Sequence, residues 1–289
     1  MPTDEIVEFD QCPCCGELVG YDRESCRKGT FIGFPHIRFA RKMRNALSEN
    51  YDKSYRNAVD RGVEQEFERL LALLRQTIAS ANLELRVASN VVSGQAYRSY
   101  YDAVDDDRRQ IAKRDFHANR AKVDSTIHTG YATRIVNMAL SPDGRGLPNY
   151  GQVSLLLRDD SVSDRCSLLR ENAFKFFTRF ALGDIDKREE PGWRSVWEDR
   201  ALLGAAALEP DLRPGMSDED LRDLILRAGG SRLEDRYIEV HLYDALMREY
   251  VRAFYLASEL RTASEEIYWE QIKEKFAQRG VELIESPNV

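Results

Sequence analysis

The sequence predicts an α+β protein with a small cysteine-rich segment at its amino end. Four of the five cysteines fall within the first 26 residues. The stretch 38–81 lacks proline and repeats apolar residues at helical spacing. Strand-like runs follow only after that stretch. We therefore divide the chain into a cysteine-rich segment at residues 1–40, a helical linker or cap at 41–82 and a mixed domain at 83–289.

Composition narrows the classes of function. The chain has 289 residues, 43% of them hydrophobic, and a net charge of -7. An acidic chain does not suit a protein whose main task is to grip a nucleic-acid backbone, because phosphate binding relies on clustered Lys and Arg. No run approaches the roughly 20 apolar residues that span a bilayer, and the start MPTDEIVEFD lacks a signal sequence. We expect a protein that is cytoplasmic where it is made, as a toxin delivered into a target cell by a dedicated machine would also be.

The order of elements follows from hydrophobic spacing and turn residues. An amphipathic helix is predicted around Phe67, because apolar residues recur every three or four positions there. A basic stretch, Arg114 to Lys122 with Arg120 inside it, is predicted to be a solvated helix surface. Ser217 is placed to cap a helix. Residues 83–92 are predicted to form a strand followed by a turn region. Further predictions are strands at 152–160, 237–242, 251–256 and 281–286, a helical or mixed stretch at 163–182 and a helix at 263–278.

The cysteines point to a metal. In a reducing compartment such crowding favours a metal over disulfides. The run Cys12-Pro-Cys-Cys15-Gly resembles a zinc-ribbon knuckle, in which a two-residue gap aims two thiolates at one ion. Cys26 adds a third ligand, but its turn lacks a second cysteine. We predict a structural zinc site of Cys12, Cys15, Cys26 and His36, with Cys14 as the alternative fourth ligand; the other interpretation is reduced thiols at a flexible end.

A late strand carries the most suggestive polar residues. Tyr237, Glu239 and His241 alternate with apolar residues, so they share one face of the strand. One interpretation is an edge strand whose polar face is solvated. The other is a strand whose polar face does chemistry. The apolar face consists of Ile238, Val240 and Leu242.

Three segments, taken in order, resemble the ADP-ribosyltransferase-like domains of bacterial polymorphic toxins. They are IHTG at 127–130, NYGQVSLLL at 149–157 and YIEVHLYDALMREYVRAFYL at 237–256. The resemblance covers roughly residues 83–256. It implies a split mixed or antiparallel sheet with a cleft, and NAD as the substrate. The activity implied is ADP-ribosyl transfer, a glycosyl transfer, or hydrolysis of NAD.

The resemblance also implies roles for residues. Glu239 would be the indispensable glutamate that stabilises the ribose as it becomes cationic. His128 would bind the ribose and Tyr150 would line the nicotinamide pocket. Thr129 and Gly130 would belong to the same NAD-binding segment. In this branch Arg134 would neutralise the pyrophosphate; a second branch of the family would instead use Arg86 with Ser125-Thr126.

The resemblance leaves partners open. The acceptor would be a protein or a nucleic acid, and a toxin raises the question of an immunity protein as partner. A monomer without a membrane partner is expected. The main alternative is a non-enzymatic zinc-ribbon interaction or scaffold protein. A weaker alternative is a metal-dependent hydrolase that uses His117, Asp124, His128 and His241.

Overall fold

The fold is a mixed α/β arrangement built around a large sheet. The computed structural model describes residues 9–105, 114–180 and 191–284. Within these residues, eight strands form one sheet, in the order β12 (Glu282–Leu283), β11 (Val251–Leu256), β5 (Val153–Leu157), β3 (Ile78–Leu83), β4 (Ile135–Ser141), β10 (Glu239–Tyr243), β6 (Cys166–Leu169) and β7 (Arg194–Val196). All neighbouring strands pair antiparallel, except β11 and β12, which are parallel.

The strands come from the whole length of the chain. Strands β1 (Phe9–Gln11) and β2 (Leu18–Gly20) form a separate hairpin near the amino end. Strands β8 (Leu226–Arg227) and β9 (Arg236–Tyr237) form another small pair.

Helices flank the sheet. None of those in the described residues is long and apolar enough to cross a membrane. They are α1 (Pro35–Lys42), α2 (Arg44–Asp60), α3 (Glu64–Arg75), α4 (Leu85–Val92), α5 (Tyr100–Asp105), α6 (Arg114–Ile127), α7 (Asp159–Val162), α8 (Ala173–Phe180), α9 (Arg200–Leu208), α10 (Asp218–Ile225) and α11 (Ala263–Ala277).

The main core joins the helical segment to the sheet. Phe67 and Leu74 of α3 belong to the same buried cluster as Leu155 of β5 and Val240 of β10. The predicted boundary between residues 82 and 83 falls inside β3, which pairs with both β4 and β5. The helices of residues 41–82 therefore pack as part of the body that contains the sheet.

One element prediction was wrong, and it concerns a short apolar run. Residues 83–92, predicted as a strand followed by a turn region, contain helix α4, and the strand β3 precedes it. Leu85, Ala88 and Val92 also fit helical spacing, and short apolar runs do not separate the two periods. The stretch 163–182, predicted as helical or mixed, is mixed, because strand β6 comes before helix α8 there.

Other element predictions were confirmed. Ser217 caps α10, because its hydroxyl accepts a hydrogen bond from the backbone N–H of Asp220 at 3.1 Å. The strand predicted at 152–160 is β5, and the helix predicted at 263–278 is α11.

The amino-terminal hairpin is fastened to the body by one buried arginine. The guanidinium of Arg38, on α1, donates to the backbone carbonyls of Gly20 at 2.7 Å and Arg23 at 2.6 Å. It also pairs with the carboxylate of Asp10 at 2.8 Å. Because the side chain is 6% exposed, these bonds hold the hairpin at a defined place on the protein.

Candidate functional site

Glu239 lies on an interior strand. β10 runs between β4 and β6, so Glu239 stands opposite Ala139 on one side and Leu169 on the other. Its side chain is buried, with 3% of its surface exposed. The interpretation as an edge strand with a solvated polar face was wrong, because neighbouring strands cover both sides of β10.

The alternation along this strand is as predicted. Ile238, Val240 and Leu242 belong to the main apolar core. On the opposite face, the carboxylate oxygen Oε1 of Glu239 lies 3.7 Å from Nε2 of His241. The polar face is therefore buried as well, and its carboxylate needs partners inside the protein.

The start of helix α8 holds the Glu239 carboxylate. The backbone N–H of Ala173, the first residue of α8, donates to Oε2 of Glu239 at 2.6 Å. The N–H of Phe174 is satisfied by the side chain of Asn172 at 2.9 Å. Free N–H groups at a helix start favour a negative charge, so the carboxylate is fixed in one position on the strand.

Burial raises the pKa of Glu239 from 4.5 to about 7. The hydrogen bond from Ala173 and the positive charges of Arg120 and Arg194 act in the opposite direction and limit the rise. A carboxyl group that changes charge near neutral pH is typical of a functional site. Its charged and neutral forms are both accessible at physiological pH.

Glu239 faces a pocket lined by aromatic rings. The pocket has a cavity volume of about 50 Å³ and opens to solvent at its mouth, so a small-molecule ligand would have to widen it or extend out of it. It lies over β3, β4 and β10 and is bordered by α5, α6 and α8. Its aromatic lining residues are Tyr97, Tyr100, Tyr101, Tyr150, Phe174 and Tyr237.

A buried ion pair forms another wall of the pocket. Nε of Arg120 lies 3.2 Å from the carboxylate of Asp124, one turn further along α6. The hydroxyl of Tyr101 donates to the same carboxylate at 2.8 Å. Burial raises the pKa of Asp124, although Arg120 and Tyr101 oppose the rise. The carboxylates of Asp124 and Glu239 together raise the pKa of Arg120, outweighing the effect of burial.

Arg120 was missed as a site residue, and Asp124 was considered only as a residue of the metal-dependent hydrolase. The basic stretch 114–122 was predicted to be a solvated helix surface, yet Arg120 is 8% exposed, and Asp124, which follows that stretch, is 4% exposed. The prediction failed because what covers a helix cannot be read from its own charges. The only signal in the sequence is the spacing of four between opposite charges, which is common on exposed helices too.

Tyr150 lines the pocket. Its hydroxyl lies 3.0 Å from the hydroxyl of Tyr237, the residue that precedes Glu239 on the same face. Burial raises the pKa of Tyr150 to about 12, so both hydroxyls stay protonated and can donate hydrogen bonds.

His128 does not line the pocket with Glu239; it lies behind the neighbouring histidine. Its ring packs edge-on against the ring of His241, with the centroids 4.3 Å apart. Burial lowers the pKa of His128, His241 and His36 well below 6.5, and nearby positive charges add to this. These three buried histidines are therefore neutral in the folded protein.

Arg134 lies outside the pocket, in an ion-pair network. Its guanidinium is 2.6 Å from the carboxylate of Asp244 and 3.2 Å from that of Glu24. It also lies over the ring of Tyr243 at 4.5 Å. Glu24 belongs to the cysteine-rich segment, so Arg134 connects that segment to the sheet.

The other residues predicted to bind NAD are also outside the pocket. Gly130 contacts the cysteine-rich segment, since a Cβ added there would lie 3.0 Å from the Cβ of Asp22. Thr129 is exposed, and its hydroxyl donates to the carbonyl of Ser125 at 3.4 Å. Arg86 is exposed on helix α4. Of the residues assigned by resemblance, the pocket brings together Glu239 and Tyr150.

The cysteines form a second candidate site. The sulfur atoms of Cys12, Cys15 and Cys26 all lie within 4.8 Å of one another, and these residues could hold a metal ion. Two tight turns carry them, since the N–H of Gly16 donates to the carbonyl of Cys12 and the N–H of Gly29 to that of Cys26, both at 2.9 Å. Burial acts to raise the pKa of the Cys26 thiol, but hydrogen bonds to Thr30 and Lys28 lower it to about 7.

His36 does not join the three cysteines. Its Nε2 donates to the carbonyls of Arg165 at 3.1 Å and His241 at 3.2 Å. The ring stacks on that of Tyr243, with the centroids 5.3 Å apart. Cys14, the alternative fourth ligand, is exposed and outside the cluster.

The histidines and acids proposed for a hydrolase do not form a comparable group. Among the described residues, only the three cysteines bring three such donor atoms within 4.8 Å of one another. The side chain of His117 lies outside the described residues.

A search against protein-family models finds no match to this chain, and a search of curated proteins finds none either.

Proposed function

We propose that the protein is an enzyme that cleaves the bond between nicotinamide and ribose in NAD, with Glu239 stabilising the cationic ribose. One observation carries the proposal. Glu239 is a buried carboxylate, fixed on an interior strand, that faces a pocket lined with tyrosines. ADP-ribosyl transfer and NAD hydrolysis share this bond cleavage and differ only in what captures the ribose.

The reaction explains why a carboxylate is needed. The bond between C1' of the ribose and the pyridinium nitrogen breaks, and both electrons leave with the nitrogen, so that neutral nicotinamide departs. Positive charge develops on the ribose, as in other glycoside cleavages. Water captures the ribose and releases a proton in hydrolysis, or a nucleophile of an acceptor captures it in transfer. An ionised carboxylate beside the ribose stabilises the charge without having to reorganise.

The fixed position of Glu239 supports this role. The N–H of Ala173 holds one carboxylate oxygen at 2.6 Å, and the strand pairs with neighbours on both sides. A group held before the substrate arrives loses little entropy in the reaction. With a pKa of about 7, the carboxylate is half ionised at neutral pH and fully ionised above it.

The pocket also suits the substrate chemically. Aromatic rings such as Tyr101 and Phe174 offer faces for a planar heterocycle. Among the described residues that line the pocket, Arg120 supplies the positive charge, whereas Arg134 lies outside it, and a guanidinium suits either a carboxamide oxygen or a phosphate. The hydroxyls of Tyr150 and Tyr237 supply hydrogen bonds for ribose hydroxyls.

The biological setting is part of the same proposal. The resemblance of the three segments to toxin domains supports a toxin or effector, whose acceptor would be a protein or a nucleic acid. Because a cell cannot tolerate loss of NAD, such a chain would require an immunity protein in the cell that makes it. Expression of the chain should therefore be poisonous, and the Glu239→Gln change should relieve the toxicity.

The test is release of free nicotinamide from NAD by the purified chain. The Glu239→Gln variant keeps the shape of the side chain and an oxygen for the N–H of Ala173, but removes the charge. Glu68→Gln is the matched control, because Glu68 is an exposed glutamate on α3. Wild type and control should release nicotinamide and Glu239→Gln should not; equal release by all three, or none by wild type, would refute the proposal. NAD labelled in its ADP-ribose part then distinguishes transfer from hydrolysis.

The second candidate is a zinc-ribbon interaction protein, and one observation favours it. Besides the three cysteines, the amino-terminal segment exposes large apolar side chains, namely Phe9, Leu18 and Phe31. We propose that the metal is a zinc ion that holds the cysteine-rich segment in its fold, since closely spaced thiolates are typical zinc ligands. A scaffold of this kind would be harmless on expression both with and without Glu239, unlike the enzyme.

A further inference from the structure

The cysteine cluster has three donors where a structural zinc site has four. Cys12, Cys15 and Cys26 bring their sulfur atoms within 4.8 Å of one another. Within the ranges that the structure describes, no carboxylate, imidazole or other thiol completes the group at that distance. Structural zinc sites are almost always closed and four-coordinate, whereas three protein ligands leave a position for an outside donor.

The sequence shows the position at which a fourth metal ligand would be expected. Cys12 and Cys15 are separated by two residues, and Gly29 stands at the same distance after Cys26. Both turns are tight, and the N–H of Gly29 bonds to the carbonyl of Cys26 at 2.9 Å. Glycine has no side chain that could bind a metal, and no atom outside its two chain neighbours lies within 4 Å of where its Cβ would be. The second turn therefore supplies one thiolate, from Cys26, where the first turn supplies two, and the space beside Gly29 is open.

The neighbouring polar groups have other partners. The carboxylate of Glu17 accepts a hydrogen bond from the N–H of Arg27 at 2.7 Å and pairs with the guanidinium of Arg23 at 3.4 Å. Thr30 hydrogen-bonds to Cys26 itself. The imidazole of His36 is bonded to two carbonyls of the sheet. Each of these groups would have to leave an existing bond to reach the ion.

We infer that the chain binds one zinc ion through Cys12, Cys15 and Cys26 and keeps a fourth coordination position open to an external imidazole or thiol. This rests on the zinc proposal above and is independent of NAD cleavage. Three thiolates and Zn²⁺ carry a net charge of -1, so a neutral imidazole adds no further charge and is the simplest probe. The donor would come from a small molecule or from a side chain of a bound protein.

The experiment replaces zinc with Co²⁺, whose visible absorption reports the ligands of a tetrahedral site. The full chain is loaded with one equivalent of Co²⁺ and titrated with imidazole. An open position predicts a saturable change in the visible bands while the thiolate-to-cobalt absorption persists. Bands that do not respond to imidazole overturn the inference. A wild-type chain that binds no Co²⁺ or zinc overturns the zinc proposal as well, and this outcome is seen before imidazole is added.

Three variants identify the ligands. Cys12→Ser should lose the thiolate-to-cobalt absorption. Cys14→Ser and His36→Gln should bind Co²⁺ and respond to imidazole like wild type. If the visible bands of wild type do not respond to imidazole but those of Cys14→Ser do, Cys14 is the fourth ligand. If those of His36→Gln respond instead, His36 is the fourth ligand. Either result contradicts an open position. A short peptide containing histidine, compared with free imidazole, then tests whether a polypeptide side chain can reach the ion.

Discussion

The Glu239→Gln change should make the protein more stable above neutral pH. Glu239 has a pKa of 4.5 when exposed and about 7 in the folded protein, because burial penalises its charge. Between these values the folded state keeps a proton that the unfolded state has lost. The free energy of unfolding therefore falls as pH rises from 4.5 to about 7. Glutamine has no charge to lose, so its stability lacks this term.

The size of the effect follows from the two pKa values. At 1.36 kcal/mol for each unit of pKa, a rise from 4.5 to about 7 costs about 3 kcal/mol once the carboxylate is fully ionised. At pH 5 the cost is less than about 1 kcal/mol, because the folded state is protonated and the unfolded state is only partly ionised. The stability of Glu239→Gln relative to wild type should thus increase by about 2.5 kcal/mol between pH 5 and pH 8.

Urea unfolding at both pH values measures this change. The chain has three tryptophans, whose fluorescence follows the transition, and the midpoint and slope give the free energy. The difference between variant and wild type cancels the other titrating groups. The exposed Glu68→Gln variant is the control, because it removes the same charge from the surface. A Glu239→Gln variant that gains nothing at pH 8, or loses stability there, would refute a carboxyl group held neutral by burial.

The other predictions concern activity, acid stability, the ion pair and the metal. The kcat/KM for NAD should rise about tenfold per pH unit below about 7 and level off above it, since Glu239 acts in its ionised form. A kcat/KM that falls through this range would mean that Glu239 acts as a general acid instead. The three buried histidines are neutral when folded, so the unfolded state binds more protons below pH 6.5 and stability should fall there, by up to about 1.4 kcal/mol per pH unit for each histidine. Urea unfolding of Glu239→Gln at pH 5 and 6.5 measures this loss without the contribution of Glu239, and unchanged stability would contradict it. Asp124→Asn should lower the free energy of unfolding at pH 7 by about 3–5 kcal/mol, because Arg120 stays buried without its partner; a loss below about 1 kcal/mol would mean that the pair is solvated. Zinc content of the purified chain should be one equivalent in wild type and in Cys14→Ser and near zero in Cys12→Ser, and equal content in all three would exclude the cysteine cluster as the site.

The sequence predicted local features of the candidate site better than its surroundings. The alternation around Glu239 identified which side chains share a face, because a strand has a period of two. It could not show that this face is buried, since burial comes from β4 and β6, which are supplied by residues 135–141 and 166–169. The environment of the carboxylate is thus a property of the tertiary fold.

Residue type alone misplaced several candidates. Arg134 and His36 have suitable chemistry for a phosphate and a metal, respectively. Their actual partners are distant in sequence, namely Glu24 and Asp244 for Arg134 and two carbonyls of the sheet for His36. Arg120 shows the opposite error, because it was not considered as a site residue. Its charged sequence neighbours predict a solvated helix surface, but α6 places it in the pocket near Glu239. Polar side chains on a helix or loop are assigned reliably only when the surface that covers them is known.

Nicotinamide release from NAD at pH 8, compared between wild type and Glu239→Gln, tests the role of Glu239 in NAD cleavage most directly. At this pH the carboxylate is ionised and the variant is expected to be the more stable protein, so unfolding cannot explain a loss of activity. Wild type should release nicotinamide, and the rate of the variant should be lower by at least about 100-fold, as for removal of other groups that stabilise transition-state charge. Equal rates, or no release by either protein, would contradict this role of Glu239.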